Sequence, residues 1–143
     1  MRKASSHIRF IGNKVKLGIV ERSISLIDNV VKKDNKKWVF STWSRNPTHT
    51  MDNPRAIFEA VKYDSDIKKI VILNSNKEIA KDVDNNIIYL PLHSVRALYA
   101  MLTSGYIYTG YSLHNIFGYR KLKLNNKRKI IQLWHGIPIK KLD

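Results

Sequence analysis

The run "KWVFSTWSRNPTHTMDNPRAIFEAVKYDSDIKKIVILNSN" (residues 37–76) decides how this chain folds. Its first five residues, "KWVFS", are a short apolar run rich in β-formers. Charged residues precede it and the polar "STWSRNPT" follows it, so it reads as a buried strand. "DNPRAIFEAVKYD" (52–64) reads as a helix. Asn53 is a good N-cap residue, Pro54 sits at the first helical position where its missing N–H costs nothing, and Ile57, Phe58 and Val61 supply an apolar stripe. "KKIVILNSN" (68–76) is again a continuous apolar run and reads as a second strand. Strands of that kind, separated by a helix, suit a parallel sheet covered on both faces.

The pattern continues outward. "NNIIYLPL" (85–92) reads as a third strand and "HSVRALYAMLTSG" (93–105) as a helix. That helix has Ser94 as its N-cap, Leu98, Met101 and Leu102 facing inward, and Gly105 as its C-terminal stop. "YIYTG" (106–110) is a fourth strand and "KIIQLW" (129–134) a fifth. The fold class is therefore α/β, a parallel sheet with helices on both faces. Residues 1–37 fit this alternation less well. "SISLIDNVVKK" (23–33) has the look of an amphipathic helix with Ile24, Ile27 and Val31 on one side, while "HIRFIGNKVKLGIV" (7–20) suits strand or helix. The expected organisation is a basic, partly amphipathic segment over 1–37 followed by a domain over 38–143.

Composition agrees with one packed domain: 143 residues, 43% hydrophobic, with three Trp, seven Tyr and four Phe. The absence of cysteine excludes disulfides, thiolate zinc sites and a Cys nucleophile. No apolar run approaches the roughly 20 residues that span a bilayer, and "MRKASSHIRFIGNKVK" (1–16) has no continuous apolar core, so neither a transmembrane helix nor a signal peptide is expected. The charge is unusual: 26 Lys and Arg against 11 Asp and Glu, a net +15. Such an excess suits nucleic acid, an anionic membrane surface or a phosphate-bearing substrate. Residues 1–37 hold ten basic side chains against Glu21, Asp28 and Asp34, and "RKLKLNNKRK" (120–129) holds six with no acid. Such runs are either solvated faces or binding surfaces. With no reading helix, RNP pattern or zinc module in the chain, nucleic acid is not the expected partner.

The chemistry concentrates in "KIIQLWHGIPIKKLD" (129–143). If its first residues form a parallel strand, His135 lies just past the carboxyl end, Gly136 allows a tight turn, and Pro138 suits the first turn of a following helix. Open α/β sheets bind ligands in the crevice outside those ends. A His there can act as general base near neutral pH, and a helix N-terminus with Lys140 or Lys141 can receive phosphate oxygens. These parts suit transfer chemistry on a phosphorylated substrate; the plainer alternative is a structural turn histidine beside a core Trp134. His7, His49, His93 and His114 are not spaced as metal ligands and read as structural or solvent-facing. Asp52 and Asn53 are read as helix-capping rather than catalytic. Trp38 is assigned to the core, whereas Trp43, in a polar loop, suits a membrane interface or the lining of a cleft. Tyr106 and Tyr108 alternate onto one strand face, and the Tyr-rich run is read as packing; stacking of Tyr111 and Tyr119, beyond the strand, on a ligand is the alternative.

"QLWHGIPIKKL" (132–142) closely resembles the W-H-G-[ST/I]-P-x-K-[KR] signature of the CDP-glycerol glycerophosphotransferase family, the teichoic acid primases and polymerases and their capsule relatives. "WVFSTWSRNPTHTMDNPRAIFEAV" (38–61), "IKKIVIL" (67–73) and "YIYTG" fall where that family places its opening strand, loop, helix and next strands. The resemblance covers 38–143 well and 1–37 weakly. It implies the N-terminal, Rossmann-like domain of a two-domain GT-B-type enzyme. Such an enzyme moves glycerol phosphate from CDP-glycerol to a polymer hydroxyl, releasing CMP, at the cytoplasmic face of the membrane. It further implies His135 as the base and matches Lys140 and Lys141 to the family's basic positions; with Gly136 at the turn and Trp43 in its polar loop these are the candidate substrate contacts. No metal or cofactor beyond the donor CDP-glycerol is implied. The implied partners are an anionic membrane surface or polyanionic polymer acceptor, and a C-terminal donor-binding domain. Two departures stand out: the donor-binding domain would follow Asp143, and "STWSRN" (41–46) lacks a Gly that many members carry near Arg45. The expectation is an N-terminal portion inactive on its own, with a noncatalytic basic membrane- or partner-binding module as the alternative.

Overall fold

The structure, a computed structural model, describes residues 17–41, 53–73, 82–92, 94–110 and 122–133. A helix over 17–30, α1, leads into β1 (Asp34–Ser41), α2 (Pro54–Val61), β2 (Lys68–Leu73), β3 (Ile87–Pro91), α3 (Val95–Thr103), β4 (Ser104–Thr109) and β5 (Lys129–Gln132). The five strands form one parallel sheet in the order β3-β2-β1-β4-β5. This is the α/β alternation that the apolar runs imply.

Alternate side chains of the strands feed two separate cores. On one face Val39, Ile70, Ile72, Leu90 and Ile107 pack against Ala97, Ala100 and Met101 of α3. On the other, Phe40, Val71, Leu73, Ile87 and Tyr108 pack against Phe58 of α2. Helices thus cover both faces, and strands buried on both sides need apolar residues at every position. The second core is largely aromatic. Phe40 meets Phe58 edge-on at 5.3 Å and stacks on Tyr108 at 5.1 Å. Tyr106 and Tyr108 do share one face, and Trp38 lies against both, 5.1 and 5.3 Å between centroids. Trp38 is half-buried at the edge of this layer rather than fully in the core, and its indole N–H donates to the Asn35 carbonyl at 2.9 Å.

Three local expectations are corrected. Ser94 does cap α3, its hydroxyl accepting the Ala97 N–H at 3.1 Å, but Gly105 does not end that helix. The helix ends at Thr103, where the Thr103 hydroxyl donates to the Tyr99 carbonyl (2.8 Å) and the Ser104 hydroxyl to the Met101 carbonyl (3.0 Å). Gly105 lies inside β4, opposite a bulge at which Asp34 to Trp38 of β1 span only Ser104 to Tyr106. A Cβ on Gly105 would come within 2.7 Å of the Asn35 Cα, so glycine serves close approach of two backbones, not chain reversal. At α2, Asn53 is itself helical (φ −57°, ψ −36°) and its side chain makes no capping bond; the buried Pro54 starts the helix. On α1 the buried stripe is Glu21, Ile24 and Asp28, while Ile27 is 49% exposed and Val31 half-buried.

These contacts predict opposite effects for two glycine substitutions. Gly105→Ala forces β1 and β4 apart and lowers stability by about 1–3 kcal/mol. Gly18→Ala, where a Cβ meets nothing within 4 Å, raises it by up to about 1 kcal/mol through helix propensity. Urea denaturation midpoints measure both.

Candidate functional site at the carboxyl rim

In a parallel sheet every strand delivers its chain to the same rim, here marked by Ser41, Leu73, Pro91, Thr109 and Gln132. From β1 the chain steps outward to β2 and β3, then crosses back to β4 and β5. The strand order therefore reverses between β1 and β4, where Ser41 and Thr109 stand side by side and both are buried. Crevices for ligands open at such reversal points. β5 reaches the same rim: beyond its last residue the Leu133 N–H donates to the Thr109 carbonyl at 2.7 Å, extending the pairing one residue further. The next residue is Trp134, the start of the W-H-G signature. His135, Gly136, Lys140, Lys141 and Trp43 lie outside the described residues, as do Asp52, Tyr111, Tyr119 and the other four histidines.

What the structure does describe is how the strand leading to the signature is anchored. Arg128, the residue before β5, is buried, although the basic run around it reads as a surface in the sequence. Its guanidinium Nη2 donates to Asp28 Oδ1 and to the Leu102 carbonyl (3.2 Å), and Nη1 donates to the Met101 carbonyl. Asp28, wholly buried on α1, also accepts the Asn125 N–H through Oδ2 at 2.7 Å, and Lys33 Nζ lies 2.9 Å from Oδ1. Burial pushes the Arg128 guanidinium down to about 10, which leaves it charged at neutral pH. One buried carboxylate thus joins α1, the end of α3 and the entry to β5. Neither residue was singled out from the sequence; the usable signal was Asp28, four residues after Ile24 on the inward stripe of α1, where an acid needs a buried partner.

The sequence model of the CDP-glycerol:poly(glycerophosphate) glycerophosphotransferase family matches residues 23–143, from within α1 to the last residue. The chain belongs to this glycerophosphotransferase family. The match takes in most of α1, which on sequence resembled the family only weakly. No curated protein matches the chain. Among solved structures, a His-to-Asn variant of the wall teichoic acid polymerase TagF is similar, with a TM-score of 0.60 and 20% identity. The similarity covers 96% of this chain and 33% of that one, so the glycerophosphotransferase chain spans about a third of TagF's length. At this identity the likeness carries the fold: a Rossmann-like α/β sheet of GT-B type. Among the described residues no helix is long and apolar enough to cross a membrane.

A double-mutant cycle tests the anchor. Arg128→Met leaves the buried Asp28 with Lys33 as its charged partner and is expected to lower stability by up to about 3 kcal/mol, and the double change Asp28→Leu with Arg128→Met, which takes the carboxylate from Lys33, to recover only part of that loss. Guanidinium unfolding of the four proteins reads the coupling.

Proposed function

We propose that this chain is the acceptor-side part of a CDP-glycerol-dependent glycerophosphotransferase of teichoic acid or capsule synthesis, active together with a donor-binding domain. The observation that carries the reading is the family match, which runs through a W-H-G signature beginning directly beyond the β5–β4 pairing at the carboxyl rim.

His135 is assigned as the base. Its imidazole takes the proton of an acceptor hydroxyl while that oxygen attacks the phosphorus of the glycerol phosphate. The phosphoanhydride bond breaks and CMP leaves with the electron pair. Such transfers are catalysed mainly by positioning and charge stabilisation, and Lys140 and Lys141 are the assigned cations. Gly136 lets the turn approach the substrate, and Trp43 lines the acceptor side. CDP-glycerol is the donor, no metal or other cofactor is invoked, and the place of action is the inner face of the cell membrane.

The test joins the 143-residue chain to a family donor-binding domain and follows CMP release from CDP-glycerol with a polyol-phosphate acceptor. Transfer is expected with the wild-type chain. His135→Ala is expected to reduce it by roughly 10²–10⁴-fold, the usual worth of a general base. Equal turnover with Ala at 135 rejects the base assignment.

A second reading, a noncatalytic module on an anionic membrane surface, draws support from α1, where Ile19, Leu26 and Val30 are 60, 68 and 83% exposed. It expects binding to anionic vesicles that falls with salt and is indifferent to His135→Ala.

A further inference from the structure

The amino end of the sheet, opposite the carboxyl rim, carries a feature of its own. Between the start of β1 and the end of α3 lies a cavity of about 520 Å³ whose lining includes Lys32, Lys33, Lys36 and Lys37 against one carboxylate, Asp34, with Tyr99 and Thr103. Adjoining it, and sharing Lys37 and Tyr99, a groove of about 390 Å³ runs between α3 and the sheet. Its floor and walls are apolar: Ile70, Ile88, Leu90, Val95 and Ala100, with the cations Lys68 and Arg96 at the same groove. Both volumes lie in the range of small-ligand sites, about 300–1,000 Å³.

The cations here are held at an electrostatic cost. Lys37 and Lys68 are register neighbours on β1 and β2 and point to the same face. Like charges placed side by side on a sheet are destabilising. Lys37 donates to a neutral oxygen, the Thr103 hydroxyl at 2.9 Å, and sits 5.7 Å from the centre of the Tyr99 ring. Burial and Lys68 hold its ammonium below the ordinary lysine range, against the opposing pull of Asp34. Two carboxylates offset these cations only in part: Asp34, whose Oδ1 accepts the Lys36 N–H at 2.9 Å, and Asp66, which faces Lys36 at 4.0 Å. An anion between these lysines would relieve the repulsion, and whatever carries it must also suit an apolar channel.

We propose that cup and groove form one binding site for a phosphate-headed amphiphile, its head among Lys36, Lys37 and Lys68 and its hydrocarbon chain along Ile70, Ile88 and Leu90. The site does not depend on the transfer reading, so its test makes no use of transfer activity.

Isothermal titration of the 143-residue chain with monomeric dodecyl phosphate, below its micelle concentration, decides the matter. One-to-one binding is expected, at least about tenfold tighter than inorganic phosphate and than the uncharged dodecyl maltoside. Lys36→Gln with Lys37→Gln is expected to weaken it about tenfold, as removal of charge-assisted contacts does. Because Lys37 also bonds Thr103, two exposed positions serve as independent variants: Lys36→Glu, at a side chain 73% exposed, and Val95→Asp, at a residue 82% exposed on the groove. Each leaves the core untouched and is expected to weaken binding several-fold. Equal affinity for dodecyl maltoside would make the groove an unselective apolar slot and overturn the proposal. Equal affinity for inorganic phosphate would reduce it to an anion site and overturn it as well. Unchanged affinity in Lys36→Glu and Val95→Asp would place the ligand elsewhere.

Discussion

The buried ion pair between Asp28 and Arg128 joins residues 100 positions apart, and both side chains are fully shielded from water. Either charge alone in that interior would cost several kcal/mol, so the two elements that carry them are held to one another. α1 is thereby fixed against the end of α3, whose carbonyls at Met101 and Leu102 accept from Nη1 and Nη2, while the buried Nε makes no hydrogen bond. β5 begins at the next residue. The strand that leads to the W-H-G signature is therefore anchored at its amino end by charge and along its length by pairing with β4, although it is only four residues long and lies at the sheet's edge.

Parallel pairing gives the two ends of the sheet different work. Every strand exits at the carboxyl rim, with Ser41 and Thr109 at the reversal point. The amino end gathers the entries to the strands, and three of the five carry lysines there: Lys36 and Lys37 on β1, Lys68 on β2, Lys129 on β5. The two faces differ as well. Interlocking aromatic rings fill the α2 side, with Phe40, Phe58, Tyr108 and Trp38 in mutual contact. The α3 side is aliphatic and leaves a groove beside the helix. Lys33 links the two themes, since it shares the Asp28 carboxylate with Arg128 and also lines the basic cavity.

Which parts were legible follows from the range of the forces involved. Hydrophobic runs and Ser94 act over a few residues, and the five strands, α2 and α3 were found where their patterns lie; α1 runs over 17–30 rather than 23–33, and the helix expected after Pro138 lies outside the described residues. Gly105 was misread because the same residue serves a helix stop and a backbone crossing, and only the bulge of β1 against β4 distinguishes them. Asn53 was misread because Pro54 alone is enough to start α2. The inward face of α1 was misread because counting apolar residues misses a stripe built on Glu21 and Asp28. For the site, the sequence supplied the signature and the rim on which it must emerge. His135, Lys140, Lys141, Gly136 and Trp43 remain proposals because they lie outside the described residues.

By itself the sequence determined the α/β class, the order of the elements and the family, since periodicity, capping and a contiguous motif are all local properties of the chain. Tertiary structure alone decided that α1 belongs to the folded unit, that Arg128 is an internal anchor rather than part of a basic surface, and that Lys37 and Lys68 stand side by side over an apolar groove. The physical reason is common to all three. A charge acquires its meaning from what lies within a few ångströms of it, and those neighbours are tens of residues away along the chain.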